Sequence, residues 1–239
     1  MTGKLLPLAS GARRTHARSM EVDAIVTGVT GMVGEGVLHE CLHHPDVASV
    51  LMISRRPCGV AHEKLTEIIH TNFHDLSAIK SQLSGYNACF FCAGISSVGK
   101  KEAEYTRLTY DLTMHVAGTL AKLNPNMTFC YVSGLGTDST ENGRSMWARV
   151  KGKTENALME LPFKATYMFR PGYIQPTKGL KNAYKMHAII GLFYPLWKAL
   201  FPGFVCRLDE IGVAMVNTVL QGSQVRILEN RDIVRLAQR

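Results

Sequence analysis

The stretch AIVTGVTGMVG, residues 24–34, decides how this chain folds. A short run rich in β-branched residues leads into three regularly spaced glycines, and a helical pattern begins at Met32. In such a turn Gly28 permits a tight reversal, Gly31 lets backbone N–H groups approach a ligand, and Gly34 lets the helix pack closely on the strand. The stretch therefore predicts a strand, a ligand-binding turn and a helix.

An anion is the ligand that this turn favours. The amino end of a helix carries partial positive charge and unpaired N–H groups, which suit a phosphate. Because the turn follows the first strand of a βαβ pattern, we expect it to bind the pyrophosphate of a dinucleotide. The residues expected at this site are Gly28, Thr30, Gly31, Met32, Val33 and Gly34.

From Val22 onward, short apolar runs alternate with longer helical patterns, which is typical of βαβ units around a parallel sheet. We predict strands over residues 23–28, 50–54, 66–70, 88–93, 127–133 and 166–170, and helices over 32–43, 76–83, 102–123, 145–161 and 209–221. The predicted fold class is α/β, a doubly wound parallel sheet (Rossmann fold) with a small C-terminal substrate-side segment. We expect residues 20–239 to form a single NAD(P)-binding domain.

The composition is that of a globular protein with a basic N-terminal extension. Of the 239 residues, 46% are hydrophobic and 19% are charged, and the net charge is +8. Residues 1–19 contain Lys4, Arg13, Arg14 and Arg18 but no acidic residue. We expect this extension to be disordered, and it is either a mitochondrial presequence or an extension before a natural start near Met20. The expected location is cytoplasmic, or mitochondrial if the extension is a presequence.

The rest of the chain excludes several classes of protein. Its charge is nearly balanced and it has no basic stripe with interleaved aromatic residues, so we expect no nucleic-acid binding. The most apolar segment, residues 188–205, is interrupted by Pro195, Lys198 and Pro202, so we expect no transmembrane segment. This segment has three alternative roles: a substrate-pocket wall, a subunit interface or an interfacial anchor. A homo-oligomer is therefore also an alternative.

The six cysteines show no spacing typical of a disulfide framework, which favours a reducing compartment. Cys89 and Cys92 form the closest pair, but residues three apart in a strand point to opposite faces. With no second pair or histidine cluster nearby, we expect buried core cysteines and no metal site.

The second strand ends in Ser54, Arg55 and Arg56. A carboxylate at this place would bind the ribose 2′-hydroxyl of NAD. A hydroxyl and two guanidiniums form charge-assisted hydrogen bonds to a phosphate instead, so these residues favour NADP(H) over NAD. A solvated basic loop is the alternative interpretation.

The G-x-x-G-x-x-G spacing, together with the later residues, resembles the short-chain dehydrogenase/reductase superfamily. The similarity is greatest to its extended and atypical branch, which includes NmrA-like regulators and epimerase/dehydratase-like proteins. The resemblance implies three further parts of a cofactor site: an adenine border at Asp75 and Leu76, a ribose wall at Cys92, Ala93 and Gly94, and a nicotinamide turn at Pro171 and Gly172.

Reductases of this superfamily resemble one another in a catalytic Ser, Tyr and Lys. The resemblance implies that Ser133 orients a carbonyl and that Lys151 holds the nicotinamide ribose, but Trp147 stands where the tyrosine belongs. An indole N–H donates a hydrogen bond and cannot exchange a proton near neutral pH. Tyr173 and Tyr110 are the candidate replacements.

Two functions follow from these residues. The first is an NADP(H)-dependent oxidoreductase, or an epimerase/dehydratase-like enzyme, that acts on a small molecule with a non-standard acid/base. The second is a catalytically silent NADP(H)-binding sensor or regulator, which the indole of Trp147 favours. The sequence does not identify the substrate.

Overall fold

The structure is a computed structural model that describes residues 21–182, 200 and 203–238. Its centre is a seven-stranded sheet in the order β3-β2-β1-β4-β5-β6-β9, in which every neighbouring pair is parallel. The strands are β1 (Val22–Thr27), β2 (Val47–Ser54), β3 (Leu65–Ile69), β4 (Ala88–Phe91), β5 (Thr128–Val132), β6 (Ala165–Arg170) and β9 (Ile227–Glu229). Two short strands, β7 (Tyr173–Gln175) and β8 (Val205–Arg207), pair separately.

Helices cover both faces of the large sheet. They are α1 (Met32–His43), a 3₁₀ helix (Ser77–Gln82), α2 (Glu102–Thr106), α3 (Leu112–Leu123), α4 (Met146–Met159), α5 (Leu208–Leu220) and α6 (Asn230–Ala237). One apolar core joins α1, α5 and α6 to the face that carries Val26 and Phe90. A second core joins the 3₁₀ helix, α3 and α4 to the face that carries Ile25 and Phe91. The alternation of neighbouring residues between the two cores explains why the central strands are mostly apolar.

The strand order reverses between β1 and β4, which confirms the predicted doubly wound Rossmann fold. From β1 the chain first adds β2 and β3 on one side and then crosses to β4, β5 and β6 on the other. Ligands of open α/β sheets bind at the carboxyl ends of the strands beside such a reversal. We therefore expect a ligand to bind at the loops that follow β1, β2 and β4.

The structure contains several elements that the sequence did not predict. The helix predicted over residues 102–123 is interrupted by a π turn at Arg107–Asp111. The short strands β7, β8 and β9 were not predicted, because elements of three residues carry no hydrophobic periodicity. The eight-residue helix α6 was not predicted either. The N-terminal extension and most of the apolar segment 188–205 lie outside the described residues.

Within the described part of the chain, no helix combines the length and the apolar character that crossing a bilayer requires.

The glycine turn after β1 is held by backbone-to-backbone packing. Gly28 has a positive φ of 73°, and a Cβ there would lie 2.5 Å from the backbone of Cys92 and Ala93. A Cβ on Gly34 would clash with the carbonyl of Gly28. Because backbone atoms cannot move aside as a side-chain end can, α1 reaches this position only with glycine at residue 34.

We therefore predict that Gly34→Ala lowers the free energy of unfolding by about 2 kcal/mol or more, as overpacking of a tight contact does. Chemical denaturation of the purified chain measures this. Gly118→Ala is the matched control, since its Cβ would meet nothing within 4 Å in the middle of α3. There we expect a gain of about 0.5–1 kcal/mol from helix propensity. Equal effects of the two substitutions would contradict the close packing at Gly34.

Candidate functional site

A cavity of about 450 Å³ opens at the carboxyl ends of β1, β2 and β4. Its lining residues come from the loops that follow these strands, from the loop after β3 and from the π turn. They are Gly28, Thr30, Gly31, Ile53, Ser54, Arg55, Arg56, Thr71, Asn72, Phe73, His74, Cys92, Ala93, Gly94, Ile95, Arg107, Leu108 and Leu112. The cavity thus unites the glycine turn, the basic end of β2 and the small residues after β4.

The glycine turn presents an uncapped helix start to this cavity. Gly31 is the N-cap of α1, and no side chain caps the helix there. The N–H of Gly31 donates to the Gly28 carbonyl at 2.9 Å, which closes the turn. Thr30 and Gly31 line the cavity, whereas Met32, Val33 and Gly34 pack toward the strands behind it.

The basic end of β2 forms one wall of the cavity. Ser54 is buried, and its hydroxyl oxygen lies 3.4 Å from the N–H of Arg56, whereas the side chains of Arg55 and Arg56 are exposed. Neither arginine forms an ion pair with any residue that the structure describes. No Asp or Glu is among the described residues that line the cavity. The wall is therefore cationic and has no counter-ion of its own.

The loop after β3 supplies a partly apolar edge. Phe73 and His74 line the cavity, and the side-chain oxygen of Asn72 holds the loop by accepting from the N–H of His74 at 3.1 Å. The structure places the two predicted residues elsewhere. The carboxylate of Asp75 accepts from the N–H of Ser77 at 2.9 Å, and this hydrogen bond lowers the pKa of Asp75. Leu76 is buried in the apolar core.

The chain after β4 forms the wall opposite the basic end of β2. Cys92, Ala93 and Gly94 all line the cavity, as does Ile95. The N–H of Ala93 faces the hydroxyl oxygen of the buried Thr27 at 3.4 Å. As predicted, the two cysteines lie on opposite faces, since Cys89 belongs to one apolar core and Cys92 packs on the other. The described cysteines are free, and the described residues include no cluster suited to a metal ion.

Arg107, Leu108 and Leu112 complete the cavity, and sequence analysis did not find them. They lie in and directly after the π turn, whose placement a regular helical pattern conceals. With Arg107 the lining contains three arginines and one histidine. The whole cavity is therefore suited to an anionic ligand with an apolar part.

Ser133 and Lys151 meet at the end of the neighbouring strand β5. Lys151 Nζ donates to the carbonyl of Val132 at 3.0 Å and lies 5.3 Å from the centre of the Tyr131 ring. The hydroxyl of Ser133 donates to the Phe169 carbonyl at 3.2 Å. Burial lowers the pKa of Lys151 from its ordinary value to about 8, partly opposed by the negative charge of Glu155. A lysine in this state can exchange a proton near neutral pH.

Trp147, at the position where the resemblance implies a tyrosine, lies one helical turn before Lys151. Its ring lies 3.7 Å from the position of a Cβ on Gly136, so the indole covers the loop after Ser133. The ring of Tyr110 lies 4.7 Å from Lys153 Nζ, on a different side of α4 from Lys151 because residues two apart in a helix point apart. Burial raises the pKa of Tyr131 far above its ordinary value, which removes it as a proton donor.

The turn at Pro171 and Gly172 is hydrogen-bonded to the loop after β5. The carbonyl of Pro171 accepts from the N–H of Leu135 at 2.9 Å, and the N–H of Gly172 donates to the side chain of Asn230 at 3.1 Å. A Cβ on Gly172 would clash with the Phe204 carbonyl. Tyr173, the other candidate acid, begins β7 directly after this turn, and burial raises its pKa.

A buried ion pair is formed by Arg170, the residue directly before this turn. Arg170 Nε donates to the carboxylate of Glu155 at 3.1 Å, and Arg170 also pairs with Glu229 at 3.3 Å. Glu155 has no exposed surface. Removing one partner of a buried pair costs about 3–5 kcal/mol, so Arg170 and Glu155 connect β6 firmly to α4. Sequence analysis predicted the strand that ends at residue 170 but did not find the pairing of Arg170 with Glu155.

This chain is similar in sequence to a known protein family and to several known proteins. Residues 24–140 match the NAD dependent epimerase/dehydratase family. Protein fmp52-1, mitochondrial, from Aspergillus oryzae is 29% identical over 87% of this chain and 94% of its own length. Protein HTATIP2 from Rattus norvegicus is 23% identical over 94% of this chain and 93% of its own length.

Solved structures show the same fold. The Bordetella bronchiseptica enzyme WbmF, in complex with NAD+, superposes with a TM-score of 0.63 over 93% of this chain and 78% of that chain, at 14% identity. MoeE5, in complex with UDP-glucose and NAD, superposes with a TM-score of 0.62 over 90% of this chain and 80% of that chain, also at 14% identity. With its glycine turn and its reversed strand order, the chain is similar to the NAD dependent epimerase/dehydratase family over residues 24–140 and shares the fold of these solved structures.

Proposed function

We propose that this protein binds NADP(H) in the cavity after β1, β2 and β4 and acts as an oxidoreductase on a small molecule with a non-tyrosine acid/base. The observation that carries the proposal is the lining of the cavity. It combines a glycine turn at a helix start with exposed arginines, and its described residues include no carboxylate. The match of residues 24–140 to a family named for its NAD dependence supports a dinucleotide as the ligand.

The pyrophosphate fits the glycine turn. Gly28, Thr30 and Gly31 line the cavity at the uncapped start of α1, where backbone N–H groups and the helix dipole favour negative charge. Gly34 serves this site indirectly, because its missing Cβ lets α1 approach the turn. Met32 and Val33 contribute the backbone of the first helical turn.

The preference for NADP(H) over NAD(H) depends on the end of β2. A 2′-phosphate is a dianionic ester at neutral pH, and the guanidiniums of Arg55 and Arg56 have no anionic partner among the described residues. The hydroxyl of Ser54 adds a further donor. The structural relatives named above are complexes with NAD+ or NAD, so this preference is a proposal about this chain's own residues.

The remaining parts of the dinucleotide have apolar and small-residue surroundings. Phe73 and His74 line the cavity and are proposed to border the adenine ring. The predicted residues Asp75 and Leu76 support this loop, because the Asp75 carboxylate accepts from the N–H of Ser77 and Leu76 lies in the apolar core. We propose that Cys92, Ala93 and Gly94 line the ribose, and that Lys151, Pro171 and Gly172 hold the nicotinamide side.

Lys151 is the proposed acid/base. When bound, the reduced nicotinamide supplies a hydride, and the carbonyl of the substrate then needs a proton. Trp147 cannot give one, whereas Lys151, with a pKa of about 8, is mostly protonated at neutral pH and can release its proton. Ser133 lies next to the carbonyl that accepts from Lys151 and is proposed to orient the substrate.

A catalytically silent sensor is the second candidate function, and Trp147 is the observation that favours it. The indole fills the tyrosine position and packs on the loop after Ser133. Such a protein would bind NADP(H) with the same residues but would not turn over a carbonyl. Activity, and its dependence on Ser133 and Lys151, separates the two functions.

The location in the cell is also a proposal. Several fungal relatives carry the word mitochondrial in their names. Together with the basic residues of the extension over residues 1–19, these names support the mitochondrial alternative to a cytoplasmic location.

We predict that replacing Arg55 and Arg56 together by Ala weakens NADPH binding by about 100-fold, since charge-assisted hydrogen bonds contribute about 1.5–3 kcal/mol each. NADH binding should change by less than about threefold, because NADH lacks the 2′-phosphate. Calorimetric titration of the full chain measures both affinities. Arg226→Ala, an exposed arginine before β9 at the opposite side of the sheet, is the matched control. An unchanged preference in the double variant would refute the proposed role of these arginines.

We predict that carbonyl reduction by the wild-type protein falls as the pH rises through about 8, because Lys151 then loses the proton that it must donate. Lys151→Arg keeps the positive charge but holds its proton, so we expect a loss of about 100-fold or more in kcat. The pH profile of each variant is measured with a panel of quinones and aldehydes as substrates. The NADPH affinity of each variant is measured separately. Lys153→Arg, an exposed neighbour on α4, should change neither. A Lys151→Arg variant with the wild-type rate would exclude Lys151 as the acid.

We predict that Trp147→Tyr raises the carbonyl reductase rate by about 100-fold, the usual contribution of a positioned acid. Trp147→Phe is the control, because it removes the indole without adding a hydroxyl. If the two variants bind NADPH and have equal rates, the site around Ser133 and Lys151 is not arranged for this chemistry. A fast wild-type enzyme that is slowed by Ser133→Ala would instead exclude the silent sensor.

A further inference from the structure

The π turn at Arg107–Asp111 is a feature of the cavity that dinucleotide binding by itself leaves unexplained. Such turns are rare and mostly occur singly within α-helices, often at functional sites. Here the N–H of Leu112 donates to the carbonyl of Arg107, which closes the wider ring of a π turn between α2 and α3. The turn adds a residue at the point where the helix borders the cavity.

This geometry determines which way Arg107 points. In an unbroken α-helix each residue advances by about 100°, so two residues five apart would point about 140° from each other. The hydrogen bond between Leu112 and Arg107 instead places these residues one above the other. Both line the cavity, together with Leu108, whereas Tyr105 and Thr109 are buried behind them. The π turn thus places Arg107 and Leu112 on one cavity-lining face.

The charges in the cavity indicate what Arg107 meets there. Its side chain is exposed and forms no ion pair within the described residues. Arg107 shares one cavity of about 450 Å³ with Arg55 and Arg56, and no described carboxylate lines it. Three like charges in a small volume repel one another, and a bound dianion relieves that repulsion. A 2′-phosphate is such a dianion.

We infer that Arg107 is a specificity-determining residue that supplies a third guanidinium to the 2′-phosphate of NADP(H), opposite Arg55 and Arg56. The inference rests on the proposed function, because it requires NADP(H) as the ligand. It assigns a role to a residue from the helical side of the cavity, whereas Arg55 and Arg56 come from the end of β2. The three side chains then enclose the phosphate from two different elements.

Stacking on the adenine ring is the other role that a guanidinium beside Leu108 and Leu112 can have. Stacking would strengthen every adenine nucleotide alike, whether or not it carries a 2′-phosphate. A contact to the phosphate would strengthen only the nucleotide that carries one. A pair of ligands that differ in this group alone therefore separates the two roles.

The test is a calorimetric titration of the full chain with 2′,5′-ADP and with 5′-AMP. For Arg107→Ala we expect 2′,5′-ADP to bind about 10-fold more weakly and 5′-AMP to change by less than about twofold. Arg107→Glu should weaken 2′,5′-ADP further, because its carboxylate repels the phosphate. Arg226→Ala serves again as the matched control. Since Arg107 is exposed, its variants should keep the wild-type melting temperature.

Each outcome has a distinct meaning. Equal weakening of both ligands would assign Arg107 to adenine stacking and overturn the inference. Unchanged affinities in the Arg107 variants, alongside a loss in the Arg55 and Arg56 double variant, would overturn the inference and leave the proposed function standing. A wild-type protein that binds both ligands equally would overturn the proposed function itself.

Discussion

The contact between the backbone of Gly28 and the start of α1 is the constraint on which the rest of the site depends. Gly34 brings the helix against the Gly28 carbonyl, and Gly28 in turn packs against Cys92 and Ala93 at the end of β4. A single methyl group at either glycine would separate the helix from the sheet. Because β1, α1 and β4 meet at this point without side chains between them, the uncapped helix start opens directly onto the cavity.

The electrostatics of the cavity follow from that arrangement. The glycine turn lines one side of the cavity, and the end of β2 and the π turn supply the positive charge of the cavity. None of the described lining residues carries a carboxylate that could neutralise this charge. The chemistry proposed at β5 has a different physical origin. There a partly buried lysine, held by the carbonyl of Val132 and near the charge of Glu155, acquires a pKa near the working range of an acid/base. The ion pair of Glu155 with Arg170 ties this lysine's helix to the turn after β6.

The sequence predicted those parts that depend on local chemistry. The boundaries of α1 at Met32–His43 agree with the structure, because Gly31 and the apolar periodicity define the helix locally. The π turn was missed, because one extra residue shifts the helical phase without a compositional signal. Arg107 was missed with it. The pairing of Arg170 with Glu155 was also missed, because it depends on how α4 packs on β6, and no local pattern encodes that contact.

We propose that the arginines at the end of β2 make this an NADP(H) site. The most direct test is an equilibrium titration of the full wild-type chain with NADPH and with NADH in the same buffer at physiological salt. We expect NADPH to bind at least about 10-fold more tightly than NADH, which corresponds to about 1.4 kcal/mol for the 2′-phosphate. Equal affinities, or tighter binding of NADH, would contradict it.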